Sequence, residues 1–114
     1  MALFMENATK AGFHIHLYFT AETCDSAQRL RDELAETFVL APDTLHWSDP
    51  PGGPHLVPNI QITVAASQVG GILDWLMLHR GPHPVLLHRL GEAVPDHTDR
   101  AMWLGEPQPL KITP

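Results

Sequence analysis

The segment from Phe13 to Phe19 alternates strictly between apolar and polar side chains. A period of two residues is typical of a β-strand that buries one face and leaves the other open. The polar face of this strand carries two imidazoles and a phenol, at His14, His16 and Tyr18. A strand face that only meets solvent usually carries Lys, Glu and Thr. The segment therefore predicts a strand whose polar face contributes to a site.

Two further segments predict amphipathic helices. In TAETCDSAQRLRDELAETF the apolar residues recur at steps of three and four, and Thr23 or Asp25 is placed to cap the start. In SQVGGILDWLMLHR the apolar residues form a second stripe, with Ser67 as the expected cap and Gly81 just past the end. Each stripe needs an apolar surface to pack against.

Three more short strands are predicted around Leu45–Ser48, over residues 57–65 and over residues 83–88. With the first strand and the two helices they give the order β-α-β-β-α-β. This is the ferredoxin-like α+β sandwich, an antiparallel sheet with two helices on one face. A short helix is also expected near Asp99–Leu104, and DHTD predicts a helix start with Asp96 or Thr98 as its cap.

The polar sides of the four strands should share the face that the helices leave open. The residues on it are His14, His16, Tyr18, His46, Ser48, Asn59, Gln61, Thr63 and His88. Imidazoles, amides and hydroxyls without Lys or Glu are typical of a site. His14 and His16 are separated by about 7 Å along a strand, which permits two ligands to one metal ion or a polar contact with another subunit.

Composition sets the class of protein. With 44% hydrophobic and 18% charged residues, the 114 residues should fold, and we expect one domain over 1–114. The net charge is −6 without a basic cluster, so nucleic acid is not an expected partner. No run of about 20 apolar residues predicts a membrane helix. The lone Cys24 and the lack of a secretory signal favour a reducing compartment, the cytoplasm.

Four segments, FHIHLYF, GPHL, LLH and DHTDRAMWLGEPQPL, occur in this order over almost the whole chain. The set resembles the DOPA 4,5-dioxygenase family, whose members carry H-I-H-x-Y-F, G-P-H-P, and D-H-T followed by W-x-G and P-L-D. The resemblance implies a ferredoxin-like homodimer that cleaves L-DOPA or a related catechol with O₂ by extradiol chemistry. The chain departs from the family pattern at Leu56, residues 79–84, Arg89 and Lys111, but keeps every motif histidine.

Extradiol cleavage needs a metal ion with open positions for the catechol and for O₂, which three protein ligands can provide. We predict that His16, His55 and His88 are these ligands. Fe(II) is the expected metal, and Zn(II) or another divalent ion is an expected substitute in purified protein. If a carboxylate completes the site, Glu106 is the first candidate and Asp96 the second.

His14 and His97 are the predicted acid and base, and Tyr18 is the predicted hydrogen-bond partner of the substrate. A competing hypothesis is a non-catalytic dimeric protein that holds a metal ion or a small aromatic molecule without turnover. The departures from the family pattern favour it. A purely structural dimerisation domain would explain the fold but not the histidines.

Overall fold

The computed structural model describes residues 12–112. Its elements, in chain order, are β1 (Phe13–Tyr18), α1 (Cys24–Phe38), β2 (Leu45–Ser48), β3 (Asn59–Val64), α2 (Ala66–His79), β4 (Val85–Arg89), α3 (Ala93–His97) and β5 (Met102–Leu104). Single 3₁₀ turns at Ala21–Thr23 and Pro42–Thr44 precede α1 and β2.

The strands form one antiparallel sheet in the order β2-β3-β1-β4-β5. The first four strands have the neighbours expected of the ferredoxin-like fold, so the predicted α+β architecture is confirmed. β1 is central, since Ile15 pairs with Ile62 of β3 on one side and with Leu87 of β4 on the other. The strand with two histidines therefore lies between its neighbours, where both faces can be covered.

The core lies between one face of this sheet and the two long helices. Its buried residues are Ile15, Leu17, Phe19, Ala27, Leu30, Leu34, Ile60, Ile62, Val64, Ile72, Leu76, Val85 and Leu87. They are the apolar halves of the alternating strands and the stripes of α1 and α2. Each large aliphatic side chain contributes roughly 1.5–3 kcal/mol by its burial, so the helix face supplies most of the stability.

The helix ends differ from the prediction at one point. α2 begins at Ala66, so Ser67 lies inside its first turn and is not the cap. The Gln68 side chain instead accepts a hydrogen bond from the backbone N–H of Ala65 at 3.1 Å. Gly81 follows the end of α2 with φ +56°, the left-handed conformation that favours glycine.

The predicted helix near Asp99–Leu104 is wrong. Residues Met102–Leu104 form β5, which pairs with β4, and the helix comes earlier, at Ala93–His97. Asp96 lies inside this helix, where its Oδ2 accepts a hydrogen bond from the backbone N–H of Glu92 at the helix start. Asp96 thus binds an N–H at the helix start from a position inside the helix and is not its N-cap. Thr98 follows the last residue of α3, so it does not cap the helix start either.

The polar face of the sheet is covered in part by residues of the same chain. His55, in the loop between β2 and β3, lies with its ring centroid 4.0 Å from that of His16. His97 of α3 lies equally close to His88 of β4. The part of the face beneath His55 and His97 therefore needs no second chain to cover it. Within residues 12–112, no helix combines the length and the apolar run needed to cross a bilayer.

Candidate metal centre

The strand register brings three histidines to one face. His14 pairs with His88 across β1 and β4, and His16 is two residues further along β1. On the other side, His16 pairs with Gln61 of β3, whose neighbour on the same face is Asn59. The alternation predicts this arrangement, because residues two apart on a strand point the same way.

His55 is positioned by the Pro/Gly loop and by the C-terminal segment. Its backbone N–H donates to the Gly52 carbonyl at 3.2 Å, and Gly53 has φ +57°. His55 also forms a β-bridge with Leu110, and the Lys111 N–H donates to the Pro54 carbonyl at 2.6 Å. The loop is thus tied on both sides, which gives the buried His55 ring a definite direction.

His97 is the last residue of α3, whose start is held by Asp96. The Asp96 carboxylate is buried and lies 3.4 Å from the Arg100 guanidinium and 3.8 Å from that of Arg89. Glu92 also pairs with Arg100, at 3.3 Å. This charge network fixes the short helix that carries His97, and a buried carboxylate without such partners would be costly.

Five histidines converge at the centre of the face: His14, His16, His55, His88 and His97. His16 Nε2 lies 3.1 Å from His88 Nε2. Two groups have one ring nitrogen from each member within 4.8 Å of the others: His14, His16 and His88, and His16, His55 and His97. His16 belongs to both groups and therefore links them.

The ring orientation of His16 is set by Asn59. The Asn59 amide nitrogen donates to the Val57 carbonyl at 3.1 Å, which turns its Oδ1 toward His16. His16 Nδ1 lies 2.9 Å from that oxygen and must therefore carry the proton. The Nε2 of neutral His16 then presents a lone pair to the cluster, as in a metal-binding imidazole.

Three other rings show the same arrangement, with Nδ1 directed at an oxygen. The pairs are His55 with the Tyr18 hydroxyl at 2.7 Å, His88 with the Arg89 carbonyl at 2.9 Å, and His97 with the Ala93 carbonyl at 2.6 Å. Carbonyl oxygens only accept, so Nδ1 of His88 and of His97 donates and leaves Nε2 as the free acceptor. The Tyr18 hydroxyl can either donate to His55 Nδ1 or accept from it. With His16, three imidazoles can thus turn lone pairs inward.

Burial favours the neutral form of His14, His16, His55 and His88. Desolvation, with the neighbouring histidines adding to it, lowers the pKa of His16 to about 2 and those of His55 and His88 to about 4. Desolvation and the proximity of His97 also lower the pKa of His14. Only neutral imidazole binds a metal ion, so the cluster is ready to bind one at neutral pH.

The cluster forms the floor of an open cleft of about 460 Å³. Asp96 lines this cleft, but its oxygens already contact Arg89, Arg100 and the Glu92 N–H. Glu106 lies exposed after β5, outside the residues that line the cleft. Neither of the two carboxylates predicted from the sequence therefore faces the histidines with a free oxygen. Asp96 lines the cleft with its oxygens engaged, and Glu106 lies outside the cleft.

Tyr18 is buried and stacks on Trp103 of β5, with ring centroids 5.7 Å apart. Desolvation raises the pKa of its hydroxyl above the usual value. The sequence pattern indicates no role for Trp103, and for Asn59 only its place on the face. Asn59 and Gln61 alternate with Ile60 and Ile62, whereas Trp103 lies in a strand too short to show an alternation.

The other three histidines lie at the edge of the cleft or outside it. His46 is exposed at its rim, and His79 stacks on Trp75 of α2. His83 is buried between Ser26 and the Tyr18 backbone carbonyl, at 2.8 and 3.0 Å.

Comparison with known proteins gives three results. A sequence model of the Dopa 4,5-dioxygenase family matches residues 13–114. A protein of Botryotinia fuckeliana, described as an uncharacterized 21.2 kDa protein, is 28% identical over 125 residues, covering 96% of this chain and 66% of that protein. The chain thus spans slightly less than two thirds of that relative. A crystal structure from Nostoc punctiforme PCC 73102, described as a "putative dioxygenase", is 35% identical, with a TM-score of 0.77 over 89% of this chain and 87% of that one.

Proposed function

Because the chain belongs to the Dopa 4,5-dioxygenase family, we propose that it is a metal-dependent extradiol dioxygenase that cleaves a catechol ring with O₂. The family and the solved neighbour support a dioxygenase-like role. The observation that carries the metal dependence is the close approach of His16 Nε2 and His88 Nε2, at 3.1 Å. Both atoms are lone-pair acceptors when Nδ1 carries the proton, so a cation between them relieves their repulsion.

The donor set fits a divalent transition metal. Imidazole nitrogen is a ligand for Fe(II) and Zn(II), and ligating histidines usually donate their other N–H to an oxygen acceptor. We propose His16, His55 and His88 as ligands, although the two close groups combine His16 with His14 and His88, or with His55 and His97. His97 has the same inward Nε2 and forms a close group with His16 and His55, so it competes with His88 for the third position.

The remaining rings are proposed to move protons. His14 is half-buried and makes no side-chain hydrogen bond to another residue of the 12–112 range, so both of its ring nitrogens are available. As a neutral imidazole it can accept the proton of a catechol hydroxyl, and whichever of His88 and His97 is not a ligand can return it to the opened ring. The Tyr18 hydroxyl contacts His55 and thereby fixes the His55 ring beside the substrate.

The proposed reaction balances without another co-reactant. The ring bond beside one hydroxyl-bearing carbon breaks, and both atoms of O₂ enter the product, so the electrons come from the catechol itself. A bound ferrous ion would supply the one-electron chemistry that allows O₂ to react. The cleft of about 460 Å³ is large enough for a single aromatic ring.

Oxygen uptake tests this function. Protein loaded anaerobically with Fe(II) should consume one O₂ for each catechol and form a yellow ring-opened product from at least one of L-DOPA, caffeate or protocatechuate. Zn(II)-loaded protein is the control, because zinc has no redox chemistry. Lack of uptake by fully iron-loaded protein contradicts the proposal, and tight catechol binding without uptake would identify the non-catalytic binding protein.

Variants test the site. His16→Ala should reduce metal affinity more than about 100-fold, beyond the effect usually seen for groups that only orient a ligand. His46→Ala, at the cleft rim, is the control and should retain the metal. Comparing His88→Ala with His97→Ala shows which ring is the third ligand and which, retaining metal but losing turnover, moves a proton. Equal metal affinity in wild type and His16→Ala contradicts the proposed site.

A homodimer and a cytoplasmic location also remain predictions from the sequence. Sedimentation equilibrium at micromolar concentration tests the first, because the chain mass is 12.6 kDa and a dimer doubles it. A 12.6 kDa species at every concentration contradicts the dimer.

A further inference from the structure

A second cavity, of about 360 Å³, adjoins the histidine cleft. The two spaces share Gly53, Pro54 and Ala93, and we call this shared boundary the sill. A molecule in the cleft can extend across it into the second cavity. The wall beyond the sill is formed by Val94, Lys111 and Ile112. It offers two aliphatic side chains and one cation, a combination suited to a short apolar chain ending in an anion.

The backbone of Lys111 is held in place by a hydrogen bond. The positive charge of its side chain is not paired with a carboxylate of the described residues. Its backbone N–H donates to the Pro54 carbonyl at 2.6 Å, directly before His55. In the part of the chain that the structure describes, Lys111 forms no ion pair. Arg89, which lines the adjoining cleft, faces Asp96 instead, and Arg100 faces the same carboxylate.

We propose that Lys111 binds the carboxylate of the substrate, so that the preferred substrates are catechols with a carboxylate on a short apolar linker and without an ammonium group. This inference rests on the proposed function, since it places the catechol ring in the histidine cleft. An ammonium beside the carboxylate would meet Lys111 with the same sign of charge, and the two carboxylates nearest to the cleft already face arginines. Lys111 is therefore a specificity-determining residue and takes no part in the bond cleavage.

Three compounds on one skeleton isolate the two charges. 3-(3,4-dihydroxyphenyl)propionate carries the carboxylate, 4-ethylcatechol lacks it, and L-DOPA adds the ammonium. Wild-type protein should bind the propionate more tightly than the other two, measured by quenching of tryptophan fluorescence under anaerobic conditions. In steady-state measurements of O₂ consumption, the KM for the propionate should likewise be lower than the KM for either of the other two compounds.

Variants at Lys111 assign the effect to its charge. Lys111→Gln should weaken propionate binding roughly two- to fivefold, the range for an exposed ion pair, and leave 4-ethylcatechol binding unchanged. Lys111→Glu should weaken it further, and Lys111→Arg should retain it. Arg29→Gln is the control, because it removes the same charge from the exposed side of α1 behind the sheet.

The outcomes separate this inference from the proposed function. If Lys111→Gln changes the binding of both compounds equally or of neither, or if wild-type protein binds neither, the inference is overturned. Oxygen uptake with 4-ethylcatechol reports on the dioxygenase activity independently of Lys111. Selective binding of the propionate without uptake of O₂ supports the subsite and contradicts the proposed turnover.

Discussion

His16 Nε2 and His88 Nε2 face each other at 3.1 Å although both rings direct their Nδ1 atoms to oxygen acceptors elsewhere. In neutral imidazoles this leaves two lone pairs in contact, an arrangement that a bound cation stabilises.

Asn59→Ala should lower metal affinity by about 10- to 100-fold, because it removes the oxygen that holds the Nδ1 proton of His16. Isothermal titration with Fe(II) or Zn(II) measures the effect. Gln61→Ala is the matched control, since Gln61 lines the same cleft from the same strand and makes no side-chain hydrogen bond with residues 12–112. Equal losses in both variants would show that Asn59 has no special role.

The metal-free protein should lose stability as the pH falls from about 6.5 toward 4. In this window the unfolded chain protonates its histidines, whereas the lowered pKa values keep His16, His55 and His88 neutral in the folded state. Each such ring contributes a slope of at most about 1.4 kcal/mol per pH unit. Below about pH 4 the contributions of His55 and His88 stop growing, because the folded protein protonates them too.

Urea unfolding at a series of pH values measures this dependence, and His88→Gln should make it shallower by about one proton. The same acidification should release bound metal, since protons compete for the ligand nitrogens. A free energy of unfolding that stays constant between pH 7 and about pH 4.5 would contradict neutral, buried histidines.

Tyr18 should resist ionisation in the folded protein. It is the chain's single tyrosine, so the tyrosinate absorbance reports on this side chain alone. Burial raises its pKa above the usual value, so at about pH 11, where the urea-unfolded chain is about nine-tenths ionised, the folded protein should show much less tyrosinate. Titration of the native protein with the ordinary midpoint near pH 10 would mean that the Tyr18 hydroxyl is exposed.

Gly91→Ala should disturb α3 and with it His97. A Cβ at Gly91 would lie 2.7 Å from Asp96 Oδ2 and 3.1 Å from Arg89 Nε, so the carboxylate that binds the Glu92 N–H must move. We expect a loss of about 1–3 kcal/mol in the free energy of unfolding. Gly70→Ala on α2 is the control, because its Cβ would meet nothing within 4 Å and alanine favours a helix.

The fold and the location of the site follow from periodicity. The strict alternation of β1 and β3 fixes which residues face the helices, and the register then places His14, His16 and His88 together. A strand of six residues shows this pattern clearly. β5 has three, and Met102–Leu104 is equally compatible with one helical turn, so its pairing with β4 decides its structure.

The details of the site depend on contacts that a single sequence does not encode locally. Asp96 lies in the segment DHTD, which resembles a helix start, yet its partners are Arg100 four residues later and Arg89 of β4. The direction of the Asn59 amide depends on the Val57 carbonyl, a matter of loop geometry. Such choices are made by tertiary packing, which is why the sequence indicates the set of histidines better than their individual roles.

The bridge between His55 and Leu110 has a consequence for biosynthesis. The loop that carries His55 is synthesised well before Leu110, which supports it. A nascent chain can pair β1 with β3, and so position His14 and His16, long before Leu110 leaves the ribosome. A metal ion offered before Leu110 has been added would therefore meet an incomplete pocket, and selective binding is expected to begin only once the segment around Leu110 has paired with the loop.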